Sequence, residues 1–442
     1  MSVSISGDGS LTGIDQGFNI VGVLTASGGF SGNLTGNINA TGVSTIATLN
    51  VTQSNPTNLN VSGVTTTATL RATSIVGVTT AGITTAYIGS VNDGPLSGFR
   101  NKIINGDMRV DQRNNGASVS VTGDGFGNRQ FPVDRFNIQK NSTCVISGIQ
   151  TSDVPTGQGF SNALRAQVTT ADATIAAGDY AFISHRFEGY NVADLHYGTA
   201  NAKTATLSFW VKSSISGTYC VALTNYADSR GIPINYSINS PDTWEYKTII
   251  ISGDTTGTWE KTNSGGMNMS WTLGAGTDYQ ATNNTWAGSV ELATSSQTQW
   301  ISTLNATFYI TGVQLESGTV ATPFERRSYG QELSLCRRYF QRIYDPPMRG
   351  VGTGGTNGGA SRLCLFFSDT MRALPTLTIS GTFTFWNGAA TQTGGTLAGY
   401  FQGGPDGMDL DITISGAFTQ GQAVCAYCQA STSKYVDLIA EL

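Results

Sequence analysis

Between Asn263 and Trp286 the chain reads NSGGMNMSWTLGAGTDYQATNNTW, a stretch in which aromatic rings stand among amides and hydroxyls. A sugar ring has an apolar face and a rim of hydroxyls. Indole or phenol rings to stack on the face, with amides to bond the rim, are therefore the chemistry that this mixture suits. Trp286 sits in polar loop sequence, flanked by Asn283, Asn284 and Gly288, and is the leading candidate contact. Tyr279 and Asn284 stand as its companions, and Trp259, which follows Thr-Gly-Thr, is a fourth candidate. Trp271 falls in an alternating strand pattern, and Trp210 and Trp244 lie inside apolar strands, so the core is expected to take all three.

Two other chemistries have weaker support. Asp107 and Asp111, with Glu316 and Glu325 far along the chain, are candidate ligands for a structural calcium ion. Calcium needs six to eight oxygens and no compact ligand motif is present, so ion pairs with Arg109 and Arg113 are the favoured expectation. Asp406, Asp409 and Asp411 stand equally low. Cys425-Ala-Tyr-Cys428 lacks the second pair of a zinc site and reads as a strand, with the six cysteines expected as reduced thiols. The only histidines are His185 and His196, and neither a Gly-x-Ser-x-Gly elbow nor a His-Glu-x-x-His pair accompanies them. No catalytic residue, metal or cofactor beyond that calcium is assigned, and no enzyme is expected. A glycosidase needs just two carboxylates, so 29 acidic residues leave that alternative open.

The elements that must hold these side chains are β-strands. Only 12% of the 442 residues are charged and 55 are glycine, a composition rich in turn formers and poor in helix formers. Residues 98–330 alternate strand patterns, such as TATLSFWVKSS at 204–214 and EYKTIIISGD at 245–254, with Gly/Asn/Asp turns. An antiparallel β-sandwich head follows. From 331 to 442 the reading is one connecting helix and a small C-terminal β domain. The helix is expected over 329–344, opened by a capping box of Ser328 and Gln331 and stopped before Pro346. Leu333, Cys336, Phe340 and Ile343 would form a short seam on it, meeting either its copies in a trimer or its own sandwich. Strand patterns at 361–367, 376–386, 409–418 and 423–440 suggest a small second sandwich or a trimerising tip.

Residues 1–97 are different. TGVSTIATL (41–49) returns as SGVTTTATL (62–70) and is echoed in VGVTTAGITT (76–85). Small β-branched residues alternate with period two behind glycine turns, while large side chains are nearly missing. One such chain cannot cover its own apolar face or strand edges. Several chains wound about one axis can, so the segment reads as the repeated β shaft of an elongated homo-oligomer. A flexible Gly/Thr/Ser linker is the alternative, although a linker needs no aligned Val and Leu.

The net charge of −5 carries no basic footprint, so nucleic-acid binding is not expected. No apolar run is long enough for membrane insertion and the N-terminal residues do not read as a signal peptide, which leads to an expectation of folding in a cytosol.

From Asn101 the sequence NKIINGDMRVDQR, then PVDRF (132–136), SFWVKSS (208–214), Trp244 to Trp259, TGVQLE (311–316) and ATPFERRSYGQELSLCRRYF (321–340) follow in order. As an ordered set these resemble the carbohydrate-binding-module-like heads of bacteriophage tail-fibre proteins. LIAEL at 438–442 is similar to the end of such chains, and the shaft repeats resemble those of cyanophage fibres. The resemblance implies a galactose-binding-like jelly roll, a homotrimer, a place on the virion after assembly in the host cytoplasm, and a tail or baseplate partner at residues 1–97. Host attachment would then run through surface polysaccharide, the receptor for three weak sites acting together. A purely structural baseplate or neck appendage is the competing reading. Deleting 41–85 is expected to shorten the particle while the head keeps its cooperative melting transition; loss of that transition in calorimetry would refute the division of shaft from head.

Overall fold

The computed structural model describes residues 100–344, 350–353, 360–380, 383–386, 389, 391–413, 422–428 and 435–442. They belong to one compact unit that begins at Thr84; the repeated segment and its attachment role lie outside the described residues. Strands dominate, as the composition predicts. The head contains β1 (Val119–Val121), β2 (Gln130–Val133), β3 (Phe136–Asn141), β4 (Val145–Thr151), β5 (Ala163–Thr170) and β6 (Tyr180–Glu188). After a single helical turn, α1 (Gly189–Val192), come β7 (Ala205–Ser213), β8 (Gly217–Asn225), β9 (Gly231–Ile238), β10 (Glu245–Ile251), β11 (Gly265–Ala275) and β12 (Thr307–Ser317).

These strands form two six-stranded antiparallel sheets, ordered β1-β4-β5-β12-β7-β10 and β2-β3-β6-β11-β8-β9. The layout is a jelly-roll-type β-sandwich. Alternation explains it strand by strand. On β6, Ala181, Ile183 and Phe187 enter the core between the sheets, while Phe182, Ser184 and Arg186 face out. On β7, Leu207, Phe209 and Val211 point in. Trp271 and Trp300 are the two largest fully buried side chains in this core.

Trp210 and Trp244 correct an expectation. Both are half-buried on the outer side of the first sheet, where Trp210 pairs with Tyr246 at 5.3 Å and Trp244 meets Tyr309 at 6.0 Å. Trp210 shares the outward register of Ser208 and Lys212, opposite to Phe209.

The capping box forms: Ser328 Oγ accepts the Gln331 N–H at 3.3 Å, and Gln331 Oε1 accepts the Ser328 N–H at 3.1 Å. The helix, α2, runs only over Tyr329–Arg337, shorter than the expected 329–344. Phe340–Tyr344 instead becomes β13, paired with the later strand Tyr435–Ile439. FQRIY is aromatic and β-branched, and a strand partner outweighs its modest helical preference. The expected seam is thereby divided. Leu333 and Cys336 dock on the chain's own Ile104, Val110 and Tyr339, whereas Ile343 packs in the C-terminal core.

That C-terminal part is the expected small β domain, built as a closed barrel with a three-stranded sheet in place of a second sandwich. β14 (Gly350–Thr353), β15 (Ala360–Phe366), β17 (Phe383–Trp386), β18 (Thr391–Gly403), β19 (Gly407–Thr413) and β20 (Ala423–Cys428) close on themselves. Beside them β13, β21 (Tyr435–Ile439) and β16 (Thr376–Ser380) make a three-stranded sheet. Phe385, Met408, Leu410, Ile412 and Val424 supply the buried side chains.

A buried charge network binds these parts to the sandwich. Glu441 pairs with Arg135, and with Arg113 at 2.8 Å; Arg113 also reaches Asp134 at 3.3 Å. The Arg135 guanidinium lies 3.5 Å over the Tyr339 ring and that of Arg113 lies 3.7 Å over Phe340. Next to them Arg338 Nε and the Tyr339 hydroxyl each donate to Glu188 Oε2 at 2.8 Å. The NGDMRVDQR and PVDRF motifs thus act as structural braces. Asn105 Nδ2, for example, spans the carbonyls of Val110 and Asp134, each at 2.8 Å.

Burial raises Asp134 to about 6, because Arg113 offsets only part of the desolvation. Burial works against Glu441 too, but there Arg135 and Arg113 win and hold it below 4.5. The signs differ. Asp134 binds its proton more tightly folded than unfolded, so its contribution to stability falls as pH rises from 3.8 through about 6. Glu441 withdraws stability only as pH falls below its unfolded value of 4.5. Asp134→Asn should therefore remove a loss of about 2–3 kcal/mol between pH 4 and 6.5. Denaturant titrations of both proteins across that range check this, and an unchanged slope in the variant would place the dependence elsewhere.

Candidate functional site

The outer face of the second sheet carries amides and hydroxyls where a solvated sheet would normally carry charge. Register sets them in rows. Arg186 on β6 lies opposite Asn268 on β11, which lies opposite Thr224 on β8. In the next row Asn137 on β3 faces Ser184 on β6, which faces Ser270 on β11. Gln139 faces Phe182 in the row beyond. Loops rise around this floor: Phe126 after β1, Asp228 after β8, and Val290 and Leu292 after β11. Together they line a narrow cleft, with about 20 Å³ of water-accessible space, that opens to solvent.

Phe126 and Phe182 supply the aromatic part of the lining, backed by two tyrosines. Phe126 stacks on Tyr180 at 4.5 Å, and Tyr279 meets Tyr180 edge-on at 5.1 Å. The floor is polar and incompletely satisfied. Gln139 Nε2 donates to Asn137 Oδ1 at 2.7 Å and to Ser184 Oγ at 3.3 Å, and the Ser184 hydroxyl donates to Asn137 Oδ1 at 3.0 Å. Gln139 Oε1, although buried, has no hydrogen-bond partner, and Asn268 Oδ1 is in the same position. A buried acceptor left unpaired costs roughly 1–3 kcal/mol, so these two oxygens suit a small hydroxyl donor, water included. Burial lowers the Arg186 pKa from its ordinary value and raises that of Asp228, which the Arg186 charge partly counters. Cation, anion, amides and rings therefore lie within one recess.

The four residues selected in the sequence divide between two places. Tyr279 packs behind the cleft lining, edge-on to Tyr180 and to Phe126, and does not itself line the cleft. Trp286 lies elsewhere: its Nε1 donates to the Ser252 carbonyl at 3.0 Å, and its ring meets Trp259 at 5.6 Å and Tyr197 at 6.1 Å. Trp259 is only 8% exposed and donates through Nε1 to the Thr256 carbonyl. Asn284 is exposed at φ 54°, and its N–H reaches the Pro233 carbonyl at 2.8 Å. Trp286 and Trp259 thus tie the loop after β11 to the core. Of the stretch that first suggested saccharide chemistry, Asn268 and Ser270 are the parts that line the cleft.

The candidate calcium carboxylates hold loops. Asp107 pairs with Arg109. Asp111 accepts the N–H groups of Asn114 at 2.9 Å and Gly116 at 2.8 Å. Glu316 accepts the Thr322 N–H and hydroxyl, each at 2.8 Å, and Glu325 accepts the Asn101 N–H at 2.7 Å. No group of three or more potential metal ligands occurs among the described residues. His185 is buried, its Nε2 accepting the Ile104 N–H at 3.2 Å, and desolvation keeps it neutral. Among the described residues no helix is long and apolar enough to cross a membrane.

No family model matches the chain, and no curated protein does. Solved structures do align with it. The enzymatically active domain of tailspike protein 4 of bacteriophage CBA120 is 13% identical at a TM-score of 0.27, covering 49% of this chain and 21% of that one. The chain thus spans about a fifth of that tailspike domain. A family 11 carbohydrate-binding module of Clostridium thermocellum, in complex with a mixed-linked tetrasaccharide, is 11% identical at 0.23, covering 46% and 98%. The xylanase 10B modules of Clostridium thermocellum, complexed with xylohexaose, are 12% identical at 0.24, covering 45% and 29%. Likenesses of this size carry no function over to this chain.

The packing of Trp286 has a measurable consequence. Trp286→Ala should cost about 2 kcal/mol of stability, since it removes an anchored ring from the edge of the core. Chemical denaturation checks it; a variant as stable as wild type would return Trp286 to the list of surface contacts.

Proposed function

We propose that this chain is a saccharide-recognition protein whose head binds sugar in the cleft over the second sheet. The observation that carries this reading is the pair of buried, unpartnered amide oxygens of Gln139 and Asn268 beside the rings of Phe126 and Phe182. Sugar hydroxyls would satisfy those oxygens, and the ring edges would take the apolar face of a pyranose. The ordered motifs from NKIINGDMRVDQR to the capping box support a further step: a trimeric bacteriophage tail fibre, cyanophage-like in its shaft. In that setting the cleft recognises host-surface polysaccharide while residues 1–97 engage a tail or baseplate protein of the virion.

Binding without cleavage is part of the proposal. Asp228 is the one carboxylate among the residues lining the cleft, whereas glycoside hydrolysis generally pairs two. Three heads on one fibre would convert weak single-site affinity into firm attachment.

The test is binding of the full chain to intact candidate host cells, before and after their surface polysaccharide is stripped, alongside a Gln139→Ala/Asn268→Ala variant. Stripping should abolish binding. The variant should lose at least tenfold in affinity with a melting temperature near that of wild type. Binding that survives both treatments would remove the cleft from recognition. Capture of a purified tail component by the head, with no cell binding, would favour the purely structural appendage.

A further inference from the structure

The opposite side of the sandwich has a recess of its own. On the outer face of the first sheet, Phe160, Trp210, Tyr246, Phe324 and Arg326 surround the hydroxyl-bearing Ser208, lining a groove of about 480 Å³ that opens to solvent. Trp210 on β7 and Tyr246 on β10 are direct cross-strand neighbours, with ring centroids 5.3 Å apart and planes inclined by 48°. Tyr246 is 46% exposed. Facing them, Phe160 and Phe324 meet edge-on at 5.2 Å, and the Arg326 guanidinium lies 4.8 Å from the Phe160 centroid.

The backbone is shaped to hold these rings. Gly312 has φ 62° and lies at a register shift between β12 and β7. A Cβ there would fall 2.6 Å from the Phe160 ring and 3.1 Å from Trp210. Glycine at the bulge lets the two aromatic walls close over β12. Charge is uneven as well. Lys212 and Lys247 on this sheet are paired with Asp153 and Glu245. Arg326 gives two N–H groups to neutral carbonyls, those of Gly159 at 2.8 Å and Gln158 at 2.6 Å. Its remaining N–H groups and its whole charge meet no carboxylate at ion-pair distance among the described residues.

We propose that this groove is a second saccharide site, selective for pyranoses that carry a carboxylate. The sugar face stacks on Trp210 and Tyr246, and its carboxylate takes the open N–H groups of Arg326, a charge-assisted contact. The inference is independent of the cleft reading, because the two recesses use different sheets and share no side chain.

The experiment titrates the full chain with tetragalacturonate, its methyl ester and a neutral galactotetraose, by calorimetry and tryptophan fluorescence. Tetragalacturonate should bind saturably, and the ester and the neutral oligomer at least tenfold more weakly. Arg326→Gln should abolish the preference for the acid, and Tyr246→Ala should weaken it about tenfold. The Gln139→Ala/Asn268→Ala variant should bind tetragalacturonate like wild type, so loss of one site is read separately from loss of the other. No saturable binding of tetragalacturonate, or binding indifferent to both groove substitutions, overturns the proposal. So does self-association that Tyr246→Ala abolishes without any effect of saccharide, which would make the groove a contact between copies of the chain.

Discussion

The structure depends on one buried ionic contact, that of Glu441 with Arg135 and Arg113. Enclosing a carboxylate and two guanidinium groups is costly unless nearly every hydrogen-bonding position is occupied. Here Arg135 also donates to the Arg186 carbonyl at 2.6 Å and Arg186 reaches the Leu442 carbonyl at 3.0 Å, which leaves the buried Arg135 Nε as the position without a partner. The contact joins three remote stretches: the segment before β1, the turn between β2 and β3, and the residues after β21. It fixes the C-terminal sheet against the sandwich near one end of β6, the strand that supplies Phe182, Ser184 and Arg186 to the cleft. The brace and the cleft share Arg186, so the orientation of a cleft cation is set partly by the latch.

The sandwich uses the two outer faces of its sheets differently. Over the second sheet the floor is polar, with Phe182 from β6 and Phe126 from a loop beside it. Over the first sheet Trp210 and Tyr246 come from strands, while loops bring Phe160, Phe324 and the cation. Period-two alternation makes both possible, since each strand can serve the common core with one face and a separate surface with the other.

That alternation is also why most of the head was legible from sequence. Ala181, Ile183 and Phe187 against Phe182, Ser184 and Arg186 is an unmistakable strand with an unusual outer face, and Gln139 and Asn268 follow the same rule. The site was legible in outline only. Trp286 misled because polar neighbours suggest exposure, whereas its ring and N–H each find a partner nearly thirty residues or more away, at Trp259 and Ser252. Trp210 misled in the other direction, since an apolar run hides which face each residue takes until the register is counted. In the C-terminal part, β18 carries glycines at 394, 395, 399 and 403 and so gives no strand signal. Its pairing with β17 and β19 makes it a strand, a tertiary fact that local propensity does not contain.

The closed barrel of β14, β15, β19, β18, β17 and β20 has a consequence for crowding. An open sheet offers unpaired N–H and C=O groups along its margins, to which a strand from another molecule can add. A sheet joined to itself has spent those groups internally, leaving side chains alone to face a neighbour. Barrels of this kind, if brought close together, would meet through surfaces that sequence can tune residue by residue, and not through the backbone, which all chains have in common.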